Sequence, residues 1–398
     1  MRRTRKIIEK IVEGIFALSG AITSITVLLI IVFLFQEGLS IFNQKPVEEN
    51  SILAVHPNNP VSKLSGLQIK DIFDQKITNW KELGGNNDTI KLFRLDEAGS
   101  LFNEEQMGSN FERLPHCIDS YLVKTPGILL FFNNRYISKD FRGKKIEIEN
   151  VNPYSFLLGK QWFPTAQPVA QLGVLPLILG TIWVTLGAIL FALPFGLATA
   201  IFMAEIANHR IRNILKPVVE LLAGIPSVVY GFFGLIIIVP AVQKVFNLPV
   251  GESGLAGSIV LGIMALPTII TISEDALRTT PRALKEASLA LGATHWQTIR
   301  RVVLPFASSG ITAGIILGIG RAIGETMAVL MVTGNAAVIP HSYFEPLRTI
   351  PATIAAELGE AAYGGLHFKA LFALGCILFI MTFIVNLVFQ FIAKKKKY

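Results

Sequence analysis

Charge is scarce in this 398-residue sequence: 16% of its residues are Asp, Glu, Lys or Arg, against 52% hydrophobic, and the mean hydropathy is +0.53. Soluble domains carry about 25% charge, so the composition excludes an ordinary soluble enzyme. So much apolar sequence also excludes a disordered chain. Cysteine is scarcer still. Cys117 lies in a charged stretch and Cys376 in an apolar run, which argues against a disulfide framework or a metal cluster. The six histidines (His56, His116, His209, His295, His341 and His367) are scattered without metal-ligand spacing. No metal, no bound cofactor and no catalytic residue is expected. The net charge of +8 sits beside apolar runs, so it is read as a membrane signal and not as a nucleic-acid footprint.

The charge that is present is unevenly placed. Residues 36–170 hold 31 of the chain's 64 charged residues in a third of its length, which marks one soluble insertion in a membrane protein. A bilayer core needs about 20 apolar residues as a helix. Ile15–Phe35 is the first such run. It is longer than a signal-peptide core and lacks a small-x-small cleavage site, so it reads as an uncleaved anchor. Five more spans follow, at about Val174–Ala204, Leu215–Val242, Gly254–Ile272, Pro305–Val332 and Ala370–Ile392. Pro194, Pro226 and Pro267 lie within them and suggest kinks. Lys and Arg before the first span, in the loops after spans two and four, and in the tail Lys394–Lys397 number 17, whereas the short loops on the other side hold Lys244, Arg348 and Lys369. The positive-inside rule then places both termini in the cytoplasm. The expected fold class is mainly α, six membrane-spanning helices with a small α/β extracytoplasmic insertion. Its parts are residues 1–35 (N-terminus and first span), 36–170 (insertion) and 171–398 (a core of five spans with a cytoplasmic loop at 273–304).

That loop carries the most specific motif. Pro281–Arg301 reads PRALKEASLALGATHWQTIRR and is followed by VVLPF. Pro281 suits a helix start, Ala283, Ala287 and Ala290 form a small-residue face, and Gly292 suits a helix end. The series Glu286-Ala287-Ser288, three residues, Gly292, nine residues, then Val302-Val303-Leu304-Pro305 resembles the E-A-A…G…I-x-L-P pattern of ABC importer permeases. Ser288 stands for the second Ala and Val302 for the Ile. The resemblance implies a type I ABC importer permease whose loop helix docks on a cytoplasmic ATPase through Glu286, Ala287, Ser288, Gly292, Leu304 and Pro305. The sequence has no G-x-x-x-x-G-K-[ST] phosphate loop, so ATP and Mg would bind on that separate ATPase chain.

Two further segments narrow the resemblance. GIPSVVYGFFG (Gly224–Gly234) and GRAIGETMAVLMVTGN (Gly320–Asn335) are similar to PstC-type permeases of the phosphate (Pst) import system. This implies a bacterial plasma (inner) membrane subunit, in contact with membrane lipid, that pairs with a PstA-type permease. It would sit on a PstB-type ATPase dimer and receive phosphate from a PstS-type binding protein. Arg321 and Glu325 lie inside an expected span, where charge is costly and usually functional. Arg321, Glu325, Thr326 and Ser227 are the expected substrate path, with a structural i,i+4 ion pair between Arg321 and Glu325 as the plainer alternative. Gly224, Pro226, Tyr230 and Gly231 serve packing or line the path. Glu357 and Glu360 are expected to face partners or solvent.

The insertion reads as a compact α/β unit over residues 52–150, with strands at Ile52–Val55, Thr89–Phe93 and Gly127–Phe132 and a helix at Leu67–Phe73. Val55–Gly85 resembles one lobe of PstS-type binding proteins, and RLDEAGS (Arg94–Ser100) falls where that family has R-x-x-x-S-G-T. Arg94, Gly99 and Ser100 keep the pattern, and Ala98 departs from it. A single lobe cannot encircle an anion, so the resemblance implies at most a weak site, with a spacer or docking role as the alternative. For the whole chain the rival to a permease is a membrane-anchored phosphate sensor with a degenerate lobe.

Overall fold

A computed structural model describes residues 2–47, 50–95, 98–108, 111–138 and 140–395. The chain divides into two compact units, one of Met1–Gly38, Val174–Ala361 and Leu371–Tyr398, the other of Leu39–Gly173 with Ala362–Ala370. Of the tail Lys394–Lys397, Lys396 and Lys397 fall outside the described residues.

Six helices among the described residues are long and apolar enough to cross a membrane: Lys10–Asn43, Leu175–Ile206, Ser227–Phe246, Gly254–Arg278, His295–Ile323 and Leu366–Val388. The shortest has 20 residues, or about 30 Å at 1.5 Å per residue. Gly254–Arg278 is the most enclosed and packs against both the second and the fifth span. Close approach is what allows this. A Cβ on Gly187 would stand 2.3 Å from Ser258 Oγ. That Oγ donates to Gly254 O of its own helix at 2.7 Å and reaches Val184 O of the second span at 3.3 Å. Ser253 caps the enclosed helix, accepting from Ala256 N. The helix Ile350–Glu357 is fixed to the second span by its Ile350 N–H, which donates to the buried Thr181 Oγ1 at 3.0 Å.

Three spans differ in extent from the sequence expectation. The third begins at Ser227, not Leu215, because Leu215 belongs to a separate helix, His209–Ala223, that ends at Gly224. Pro226 follows this end and opens the next helix. The ring gives Pro no N–H and disfavours helical backbone at its predecessor; with Gly224 just before it the chain breaks at Pro226, whereas Pro194 and Pro267 stay inside continuous helices. The fifth span runs from His295 to Ile323, not from Pro305 to Val332, and Met327–Val332 is a separate short helix. The fourth span extends past Ile272 to Arg278, which shortens the loop expected at 273–304.

The second unit is built on a four-stranded sheet. Its central strands Ser51–Val55 and Ile128–Asn133 are antiparallel, and Lys91–Arg94 joins Ile128–Asn133 in parallel. Alternation along these strands feeds two cores, one with Leu53, Val55 and Leu129, the other with Ala54, Ile128 and Leu130. A helix at Gly66–Phe73 starts in a capping box between Ser65 and Gln68. Trp80 is wholly buried, and its Nε1 donates to Gly127 O at 2.8 Å. Trp80→Ala is therefore expected to destabilise this unit by about 3–5 kcal/mol, seen as faster native-state proteolysis between residues 51 and 148 of the purified protein.

Candidate functional site

Two broken helices meet in the membrane unit. In the first, His209–Ala223 gives way at Gly224–Pro226 to a helix starting at Ser227. The Tyr230 hydroxyl reaches back over the break and donates to Leu222 O at 2.8 Å. In the second, Leu304–Ile323 ends at Gly324, and a new helix starts at Met327. A Cβ on Gly231 would lie 3.0 Å from Ala328 Cα and 2.7 Å from Met331 Sδ, so glycine is what lets the two post-break helices touch. Tyr230, Ala328 and Val332 share one buried cluster. The motifs around Gly224 and Gly320, about a hundred residues apart in sequence, are thus one structural feature. Gly231 packs there, while Ser227 is half-buried at the first turn after its break.

Arg321 occupies the last turn of Leu304–Ile323 and is half-buried. The i,i+4 pair with Glu325, the plainer alternative from sequence, is not formed. Gly324 ends the helix, so the two residues lose helical register, and the Glu325 carboxylate instead accepts from Ala328 N–H at 3.4 Å at the start of the next helix. Thr326 Oγ1 turns to Gly324 O. Among the described residues no acidic side chain forms an ion pair with Arg321, and Tyr230 lies within its electrostatic reach. The guanidinium is compensated by position, since the free carbonyls at a helix C-terminus favour a cation.

The loop after the fourth span holds the helix Arg282–Ala290, in which no residue is buried. Gly292 ends it at φ +84° with open space around it, a backbone only glycine takes freely. Glu286, Ala287 and Gly292 are exposed, as are the large apolar side chains Leu284, Leu291 and Trp296. Ser288, grouped with these from sequence, turns inward, and its hydroxyl bonds Thr298 Oγ1 at 3.0 Å. Lys285 also turns inward and pairs with Glu205. Leu304 and Pro305 start the next helix after a π-helical turn, Ile299–Val303.

A buried charge cluster beside this loop escaped the sequence reading. Glu274 is 1% exposed. Arg212 Nε donates to it at 2.7 Å, and Lys216 Nζ and Arg278 lie at 3.4 and 3.6 Å. Burial alone would lower the Lys216 pKa. The hydrogen bond to Asp275 and the fields of Glu274 and Asp275 outweigh it and hold the ammonium above the ordinary lysine value. From sequence, Arg212 and Lys216 registered only as loop charges that set orientation. The i,i+4 spacing of Glu274 and Arg278 was the one available signal. Glu357, expected to face partners or solvent, instead pairs with Arg348, whose Nε donates to Asn335 Oδ1 at 2.7 Å.

Residues 192–398 match the family of binding-protein-dependent transport system inner membrane components, more than half of the chain. The chain belongs to this family. It is a multi-pass component of an inner-membrane transport system. A Bacillus subtilis protein named "Probable ABC transporter permease protein YqgH" is 43% identical over 250 residues, 63% of this chain and 81% of its own length. The phosphate transport system permease protein PstC of Mesorhizobium japonicum is 40% identical over 251 residues, 58% of this chain and 76% of its own. Among solved structures, an ABC-type phosphate transport receptor from Vibrio cholerae aligns with 28% of this chain and 51% of its own length at 22% identity and a TM-score of 0.20.

The insertion at residues 36–170 of this transport component lies wholly outside the family match. There Arg94 ends its strand exposed, with its guanidinium 5.0 Å over the Phe73 ring. It borders a cavity of about 360 Å³ lined also by Ser51, Phe131, Asn133 and Gln167. Gly99 and Ser100 fall in a single helical turn, Ala98–Leu101. Asp96 and Glu97 of the same motif lie outside the described residues. In the membrane unit, Gly231→Val is expected to force the two post-break helices apart. Overpacking of this kind costs about 1–3 kcal/mol, measurable as a lowered Tm of the purified protein.

Proposed function

We propose that this chain is the PstC-type permease subunit of an ATP-driven importer of inorganic phosphate, passing the anion from a binding protein across the plasma membrane. The observation that carries this reading is Arg321, a half-buried cation without an acidic partner among the described residues, beside the second of two helix breaks whose following helices touch. A guanidinium offers phosphate a charge-assisted, bidentate hydrogen-bonding edge. Arg321 would meet the transported anion, with Ser227, Thr326 and Glu325 near it along the path. The names of the relatives support phosphate as the substrate. The rival reading, a membrane-anchored phosphate sensor, has no use for a loop that exposes Leu284, Leu291 and Trp296.

The same reading assigns the partners. A PstA-type subunit would pair with this chain in the membrane, and a PstB-type ATPase dimer, holding ATP and Mg, would receive the loop helix. A PstS-type protein would deliver phosphate. The excess of Lys and Arg in alternate loops supports a topology with both termini and the loop helix in the cytoplasm. Glu286, Ala287 and Gly292 then face the ATPase, Ser288 braces the helix from behind, and Leu304 and Pro305 lead back into the membrane. In the insertion, Arg94 with Gly99 and Ser100 would hold an anion weakly, since one lobe leaves it open to water.

Two outcomes follow. Arg321→Ala should leave the assembled complex within about 1 kcal/mol of wild-type stability, because no buried acid loses a partner. Uptake of radiolabelled phosphate by reconstituted vesicles should nevertheless collapse, and uptake at the wild-type rate would sink the path assignment. Gly292→Val, which puts a β-branched residue at φ +84°, should cost about 1–2 kcal/mol or more locally and weaken capture of the ATPase, assayed by co-purification. Undiminished capture would refute the docking role.

A further inference from the structure

We propose that Glu205 and Lys285 are positioning residues that carry movement of the loop helix to the substrate path, an inference that rests on the ATPase-docking reading of that helix. Arg282–Ala290 buries none of its residues, so apolar packing does not fix it to the chain. Its two inward side chains are Ser288 and Lys285. Ser288 bonds Thr298 within the same loop, whereas Lys285 crosses 80 positions of sequence to Glu205.

Glu205 is well placed to receive that movement. It lies in the π-helical turn Phe202–Ile206 that ends the second span. Such turns carry a wider, weaker hydrogen-bond register than an α-helix and recur at functional sites. Three residues on, Asn208 caps the helix His209–Ala223, accepting from Ile211 N at 2.9 Å. That helix ends at the Gly224–Pro226 break, where Tyr230 holds Leu222. Arg212 and Lys216 of the same helix hold Glu274, seven residues before Pro281 and the loop helix. The turn just before the helix leading to the path is therefore tied by an ion pair to the loop helix, and that helix is itself tied to the end of the fourth span, which precedes the loop helix. Apolar surfaces slide past one another, but an ion pair fixes a point on each partner. The Glu205 and Lys285 side chains are 10% and 23% exposed, so water screens the pair less than it screens a surface pair.

The test uses the assembled transporter in proteoliposomes, reading phosphate moved per ATP hydrolysed. Glu205→Gln is expected to assemble and to keep hydrolysing ATP, with phosphate moved per ATP falling about tenfold, within the usual range of coupling between sites. Lys285→Met should show the same fall in that ratio, and Lys285→Arg should preserve it. The exchanged pair, Glu205→Lys with Lys285→Glu, should recover most of the ratio. Wild-type ratios in both neutral variants would overturn the proposal. So would an exchanged pair that assembles and stays uncoupled, or neutral variants whose only defect is loss of the assembled complex. ATPase co-purification is measured alongside, so a failure of docking is read separately from a failure of transmission.

Discussion

A membrane-spanning backbone has no water with which to satisfy its N–H and C=O groups, and the membrane unit of this protein is arranged around that constraint. Helices meet it by default. The second, fourth and fifth spans stay helical and pack closely, even across Pro194 and Pro267. Where the chain departs from the helix, at Gly224–Pro226 and Gly324–Thr326, the freed groups find other partners. The Tyr230 hydroxyl takes Leu222 O, and the Glu325 carboxylate takes Ala328 N–H. The helices that follow the two breaks touch, with Gly231 against Ala328 and Met331. Irregular backbone in a membrane protein is tolerated where it is enclosed by protein or lines a cavity.

Charge follows the same economy. Arg321 stands at a helix C-terminus, where the carbonyl dipoles stabilise it without a carboxylate. An internal Arg–Glu pair would have left the guanidinium engaged, and an anion would then have to displace the carboxylate. Paired acidic side chains of the membrane unit lie elsewhere, among them Glu274 with Arg212, Lys216 and Arg278, Glu205 with Lys285, and Glu357 with Arg348. These pairs hold loops and helix ends in place, and they leave the cation beside the breaks available.

The insertion obeys ordinary soluble-domain rules. Strand alternation, the capping box at Ser65 and the buried Trp80 build its cores. Arg94 stacks on Phe73 at the border of an open cavity. An anion there would keep much of its water, which sets a physical limit on how tightly one lobe can hold it.

The sequence by itself determined the class of this protein. Apolar runs of span length, and the strands and short helix of the insertion, all follow from local composition and period. So does the loop helix, because Pro281 and Gly292 punctuate it through their own backbone chemistry. Arg321 was legible as a candidate because a charge in an apolar run is conspicuous. Other features depended on which faces meet. The third span was placed too early because Leu215–Ala223 is apolar enough to pass for membrane sequence until Pro226 breaks it. Arg321 and Glu325 looked paired because helical spacing was assumed across Gly324. Glu274 with Arg212 and Glu205 with Lys285 are 62 and 80 positions apart. No local pattern joins residues so distant, and only the packing of His209–Ala223 and the loop helix beside the ends of the second and fourth spans brings their charges within reach.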